Sequence, residues 1–463
     1  MRPKFNRQVQ FDFQPSSLKV TNEYYQRYEA ISKILDENPG MVEAVHADIQ
    51  EPLEEEVDPV GGVNQYRCCS ETVLRMVLCQ IIERCSLRQI VIRIDDSHFL
   101  RRFGRLYNDP MIDFTTFARL RNRIQPQTWK RLHEVLNQWA VKTGQISGQR
   151  LRLDTTAVET NVHWPTDSSL LWDSYRVLSR LLRRLRKHQR TLLRDRRLHP
   201  RRVRRLYLNI SRRARGQASS SEALKPLYFK LIQQVTTIHA IVDDALGHLQ
   251  GPNVKDPVLL KIIGALEHYR ALSERVVDQA RRRTLEGETV PNAQKLFSIF
   301  EPHTELLKRG KTVRNIEFGH MIQIQQVAEK FITGYEVFQA KPNESSQLGP
   351  ALEQHKALFG AYPQEASADK GYAQSSEQLA ALSRKVKNLA VGKAGRLSEA
   401  ERDREHTLRF RLGQSFRAGV EGTISYLKRV LGLARCLAKS WPHYAAAVGA
   451  SLLAHNLLVL ARG

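Results

Sequence analysis

The sequence predicts a mixed α/β protein: an α/β core, interrupted by a large basic helical insertion and preceded by an all-helical N-terminal region. Three observations carry this. Residues 150–156 and 312–327 alternate polar and apolar side chains, as a half-buried strand does. Flanking segments repeat apolar residues at three- and four-residue spacing, as helices do. Residues 176–216 hold 17 Lys and Arg against one acid, Asp195.

At roughly 100–200 residues per domain, the 463-residue chain has room for two to four. Hydrophobic residues at 41% and charged residues at 26% exclude wholesale disorder. The excess of 72 Lys and Arg over 48 Asp and Glu, a net +24, asks for a polyanion, either nucleic acid or an anionic membrane. The five cysteines (Cys68, Cys69, Cys79, Cys85 and Cys436) form no C-x-x-C pair and read as free thiols of a reducing cytoplasm. The first residues carry no apolar stretch of a secretory signal. Residues 444–461 are apolar enough for a membrane span, but His455 and Asn456 lie inside them, so a buried helix is expected. No membrane partner is expected, and nucleic acid leads.

In chain order, residues 1–62 form an N-terminal helical and linker segment. It closes on an acidic run (Glu51, Glu54, Glu55, Glu56, Asp58) and Pro59-Val60-Gly61-Gly62. Residues 63–148 read as helices. Val73, Leu74, Val77, Leu78, Ile81 and Ile82 keep helical spacing, Ser86 restarts a short helix, and Asp113 and Thr115 cap another that bears Arg119, Arg121 and Arg123. This succession resembles a helix-turn-helix DNA-binding domain. Residues 149–166 and 301–440 make the core, with a helix at 348–359, a strand running into Ala368-Asp369, and a capping box at Ser375 and Gln378. Residues 441–463 are a C-terminal apolar helix.

Residues 167–300 are the insertion. In its first part Leu178, Leu181, Leu182 and Leu185 keep one apolar face, so the arginines belong to amphipathic helix rather than to a loose tail. A solvated face would mix signs. Seventeen cations against one acid repel one another unless an anion neutralises them, so Arg183, Arg184, Arg196, Arg197, Arg201 and Arg202 are expected on DNA phosphates. Asp167 is expected to help start this helix.

Three acids stand where metal-dependent phosphoryl transfer needs them. Asp154 lies on the first core strand. Asp369 ends a later one, before the turn Lys370-Gly371-Tyr372. Glu421 lies on a helix, with Arg417 about 40° to one side and Lys428 about 20° to the other. A carboxylate between two cations suits a site for both divalent metal and phosphate. Glu159, Asp167 and Asp173 are nearby acids expected to do other work. Trp164 follows the first strand and reads as a packing residue or a platform for an unpaired base. Arg309-Gly310-Lys311-Thr312 is not a phosphate loop, because Glu305 stands where the earlier glycine is required. No paired histidine spacing supports zinc.

On these residues the sequence resembles bacterial insertion-sequence transposases of the DDE class. The closest likeness is to the ISNCY group, whose members carry a stretch similar to LDTTAVETNVHWPTDSSLL, residues 153–171. The likeness covers most of the chain, including the N-terminal helices and the turn after Asp369. It implies an RNase H-like catalytic domain, with Asp154, Asp369 and Glu421 as the catalytic triad holding two Mg²⁺ (or Mn²⁺) ions. The related signature Y-x2-R-x3-E-x6-K falls on Gln414, Arg417, Glu421 and Lys428, with Gln in place of Tyr. Arg417 and Lys428 would bind DNA phosphates. The implied activity is binding of terminal repeats, strand cleavage, and transfer of the freed 3′-hydroxyl into double-stranded target DNA. A homo-oligomeric synaptic complex, associated with the nucleoid, would carry it out. Two rival readings share the residues: a catalytically inactive transposase-derived DNA-binding protein, and an RNase H-fold nuclease without strand transfer. The 215 residues between Asp154 and Asp369 exceed what two strands and a helix require, which sets the insertion between the first and second strands.

Overall fold

The computed structural model describes residues 2–6, 16–53, 68–189, 191–214, 221–249, 256–308, 315–373, 375–393 and 395–462. The acidic residues 54–58 and the 309–312 segment fall outside them. The chain divides into two units, residues 1–160 with 319–463, and residues 161–318.

Among the described residues of the first unit seven α-helices precede the sheet: α1 (Lys19–Asp36), α2 (Pro39–Ile49), α3 (Ser70–Ile82), α4 (Leu87–Asp96), α5 (His98–Phe103), α6 (Phe114–Arg123) and α7 (Pro126–Lys142). Local chemistry sets their starts. Ser86 and Gln89 close a reciprocal capping box on α4, and the Asp113 carboxylate accepts the Thr115 N–H at the head of α6. The apolar positions of α3 from Val73 to Cys79 are buried and Ile81 and Ile82 half-buried, and its Arg75 is 1% exposed because Glu71 and Asp36 neutralise it at 2.8 and 2.6 Å.

Then β1 (Arg150–Thr160) enters the core and the chain leaves for the second unit. There α8 (Asp167–His188), α9 (Pro200–Arg213), α10 (Ser221–Leu249) and α11 (Pro257–Thr284) build a separate core from residues such as Leu178, Leu182, Val203, Val235 and Leu266. Thr166, not Asp167, caps α8: its side chain accepts the Ser169 N–H. Asp167 is already inside the helix and is buried, because Arg283 of α11 pairs with it at 2.8 Å. Asp167 still stands in the first turn of α8, in accord with the expectation that it helps start the helix.

A short β2 (Glu305–Lys308) precedes the return to the sheet. There follow β3 (Ile316–Val327), β4 (Ile332–Val337), α12 (Leu348–Phe359), β5 (Glu365–Ala368), α13 (Ser376–Ser383), β6 (Asn388–Val391), α14 (Glu399–His406), α15 (Leu408–Arg429), β7 (Arg435–Cys436) and α16 (Trp441–Leu460). In the first unit the strands run β4-β3-β1-β5-β6, antiparallel from β4 to β1 and parallel from β1 to β6. β7 extends the far end of β1 at Glu159 and Thr160.

α16 is, among the described residues, the one helix apolar and long enough to cross a membrane, and it is largely buried in the fold. Its polar residues explain why it belongs there. Asn456 is fully buried, accepts the Ile332 N–H at 2.9 Å and donates to the Ile332 carbonyl at 2.7 Å. It thereby pairs backbone groups that β4, at the edge of the sheet, would otherwise leave unmade. Replacing Asn456 by Leu should cost roughly 2–4 kcal/mol, because both groups stay buried without partners. Guanidinium unfolding checks this, and a loss near zero would show that the amide is not what holds β4.

Candidate active site

The site is built on the alternation of β1. Leu151 and Leu153 point into an apolar layer with Leu348, Leu352, Ala366 and Leu389. Arg152 and Asp154 therefore point to the opposite face, where α15 lies. β1 and β5 pair in parallel, with Arg150 beside Glu365 and Arg152 beside Ser367. Continuing that register by two places sets Asp154 beside Asp369, on strands about 4.8 Å apart. Each aspartate turns back onto the next backbone amide: Asp154 accepts the Thr155 N–H and Asp369 the Lys370 N–H, both at 2.8 Å. These bonds form where the ladder between the two strands has ended.

α15 brings the third acid. Arg417 lies between the two elements, 3.6 Å from Asp154 Oδ2 and 3.7 Å from Glu421 Oε1. Asp154 is mostly buried, whereas the Glu421 side chain is 67% exposed. Burial is the main reason that the Asp154 carboxyl is pushed up to about 6; the Thr155 amide and Arg417 oppose it, and the charges of Asp369 and Glu421 add to it. The three acids thus lie within electrostatic reach of one strand end. Among the described residues no three acids stand close enough to share one ion. The donor chemistry nevertheless fits a hard divalent cation, because the side chains gathered there offer carboxylate oxygens.

Gln414 stands at the tyrosine position of the signature. Its amide donates to the carbonyls of Ala368 (3.2 Å) and Ala390 (2.6 Å), tying α15 to the ends of β5 and β6 directly before Asp369. Lys428 lies two turns beyond Glu421, about 10 Å along the helix. It lines a groove of about 680 Å³ together with Arg84, Arg121, Arg435 and Leu437. Glu159 pairs with Arg435 at 3.0 Å, and Asp173 with Arg176 at 2.6 Å, so neither joins the triad. The exposed Trp164 packs edge-on against Phe318.

At the site Glu344 carried no sequence signal, and Tyr372 was marked only as part of the turn after Asp369. Glu344, in the turn before α12, accepts from Thr155 Oγ1 at 2.7 Å. Its other oxygen stands where a side chain on Gly371 would have to start. Tyr372 is fully buried, and its phenol is raised above the usual range by burial and by the charges of Asp154, Glu344 and Asp369. Both are placed by turns whose partners are remote in sequence.

The arginines divide. On α6, Arg121 donates to Gln80 (2.9 Å) and Arg123 to the Glu51 carbonyl (2.6 Å), so two of the three expected on a DNA-reading face are spent inside the protein. In the second unit Arg183, Arg184, Arg196, Arg197, Arg201 and Arg202 are all exposed. Only Arg196 of these pairs with an acid among the described residues, Asp244 at 3.1 Å.

The raised carboxyl gives a stability prediction. Folded Asp154 holds its proton up to about 6, against 3.8 for the free group. Its contribution is therefore complete below pH 4 and is lost as pH rises through 6. With metal chelated, Asp154→Asn should stabilise the protein at pH 8 by up to about 3 kcal/mol. The gain should vanish near pH 4, as read by thermal melting across that range; a flat difference would contradict the burial of the charge.

Family models match two parts of the chain. Residues 318–457 match a transposase DDE domain, and residues 25–123 match a transposase domain. Neither the curated proteins nor the solved structures yield a match. The DDE domain implies an RNase H-like fold, with which the mixed sheet accords. The first match spans Asp369 and Glu421, the second most of the N-terminal helices. With these two matches, the chain is an insertion-sequence transposase of the DDE class, a metal-dependent DNA cleavage and transposition enzyme.

Proposed function

We propose that Asp154, Asp369 and Glu421 are the catalytic residues and metal ligands of this transposase, acting on the terminal repeats of its element and on target DNA. The single observation that carries the assignment is the β1–β5 register, which aligns Asp154 with Asp369 while Arg417 bridges toward Glu421. Two Mg²⁺ or Mn²⁺ ions, when bound, would activate the attacking oxygen and stabilise the leaving one. The chain's own residues do the rest. Asp154 and Asp369 present their carboxylates from fixed strand ends. Glu421, largely exposed, approaches from the helix. Arg417 balances the acids and is within reach of a scissile phosphate, and Lys428 holds DNA further along the groove. Water, then the freed 3′-hydroxyl, attacks phosphorus in line, without a covalent enzyme intermediate.

Residues 161–318 act in this reading as an insertion into the RNase H-like core, tracking the DNA backbone with the exposed arginines of α8, α9 and the turn between them. Among the described residues Arg183, Arg184, Arg197, Arg201 and Arg202 have no acidic partner, which favours this over a merely solvated face. The N-terminal helices (residues 63–148) contribute further DNA contact, and pairing two element ends calls for a homo-oligomeric synaptic complex at the nucleoid. The stretch at 153–171 supports membership of the ISNCY group.

Asp154→Asn, Asp369→Asn and Glu421→Gln should each lower Mg²⁺-dependent cleavage and joining of a marked element by at least about 1000-fold, on the scale of losing a catalytic group. DNA binding should persist. A variant that still cuts and joins would remove its residue from the triad. Wild-type cutting without joining would favour the nuclease reading. Replacing Arg183, Arg184, Arg201 and Arg202 together should lower the slope of log affinity against log salt by about 3–4; an unchanged slope would leave that face merely solvated.

A further inference from the structure

α15 can lie close on the sheet because two of its own residues there, Gly413 and Gly419, have no side chain. A Cβ on Gly413 would come within 2.3 Å of the Ala390 Cβ, and one on Gly419 within 2.3 Å of Arg152 Nη1. The second neighbour is a guanidinium that is 4% exposed, two residues before Asp154 on the same face of β1. Among the described residues it pairs with no carboxylate. A buried cation in that position is costly unless its donors are satisfied.

They are satisfied by the two elements that it joins. Nε and Nη2 donate to Gln326 Oε1 of β3, the first at 2.8 Å, and Nη1 donates to the Phe416 carbonyl of α15 at 2.8 Å. The Phe416 ring covers the guanidinium at 4.7 Å. Gln326 Nε2 in turn donates to Thr423 Oγ1 of α15 at 2.9 Å. The helix is thus held at residues 416 and 423, two points that bracket Arg417 and Glu421. Nη1 cannot swing away without giving up the Phe416 carbonyl in a space that water does not reach.

We infer that Arg152 is a positioning residue of the transposase: seated in the notch left by Gly419 and tied through Gln326 to Thr423, it sets the distance of Glu421 and Arg417 from Asp154. The inference rests on the triad proposed above and adds a residue that touches neither DNA nor metal.

Mg²⁺-dependent nicking of supercoiled plasmid DNA, with kcat and KM measured separately, tests it beside thermal melting. Asp154→Asn is the reference: if it still nicks, the triad reading fails, whatever Arg152 does. With that variant inactive, Gly419→Ala should lower kcat by about 100-fold, the cost of misplacing a reacting group by about 1 Å, with KM for DNA unchanged. Arg152→Lys keeps the charge without the fork and should also lower kcat. The double variant should be no worse than Arg152→Lys alone, because Lys has no Nη1 for the new Cβ to meet. Multiplying effects in the double variant, or an unchanged kcat in Gly419→Ala, would overturn the inference. If Gly419→Ala fails to fold, the double variant should fold again; a double variant that also fails overturns it.

Discussion

The pairing of β1 on both sides is the constraint on which the rest of the first unit depends. It is antiparallel to β3 and parallel to β5, so its register is fixed twice. Side chains alternate across a strand, and a slip of one residue would turn Asp154 into the layer of Leu348 and Leu352 and Leu153 out under α15. The apolar layer thus enforces the position of the acid. The same register sets Asp369 at the tip of β5, beside Asp154, although the two are 215 residues apart in the chain.

The second constraint is the close approach of α15. Glycines at 413 and 419 let its backbone come near the sheet, and polar ties from Gln414, Arg152 and Thr423 fix it there. Gln414 departs from the signature, yet its amide reaches the carbonyls of two adjacent strands, so the departure changes the chemistry of that position without releasing the helix. Arg417 then stands between Asp154 and Glu421. The electrostatics follow from the packing: burial raises the Asp154 carboxyl, and a cation at that strand end relieves the crowding of charge.

In the second unit a buried apolar stripe and exposed cations share the same helices. The buried leucines of α8 hold the core with α10 and α11, while the arginines on its other side are exposed. The stripe gives the helix a reason to fold, and the cations are left for an anion. On α6 the opposite holds, since Arg121 and Arg123 are consumed by internal hydrogen bonds. Equal arginine content therefore has different meaning in the two places, and only the partners tell them apart.

By itself the sequence determined what depends on neighbours along the chain. Apolar spacing marked α3 and α8, alternation marked β1, and residue type with local context pointed to Asp154, Asp369, Glu421 and Arg417, the last two by their shared helix face. The count of 17 cations against one acid marked the basic block. Short-range signals have limits: Asp167 marked the start of α8, but its buried ion pair with Arg283, 116 residues on, had no sign in the local pattern. Glu344 carried no signal, and Tyr372 and Arg152 none beyond the turn after Asp369 and the alternation of β1, since the role of each depends on residues far away in sequence. Only the tertiary structure decided which acids share a strand end, how deeply Asp154 is buried, and what holds the Glu421 helix. Those properties are distances across the sheet, set by register and by the space two glycines leave, and no linear spacing contains them.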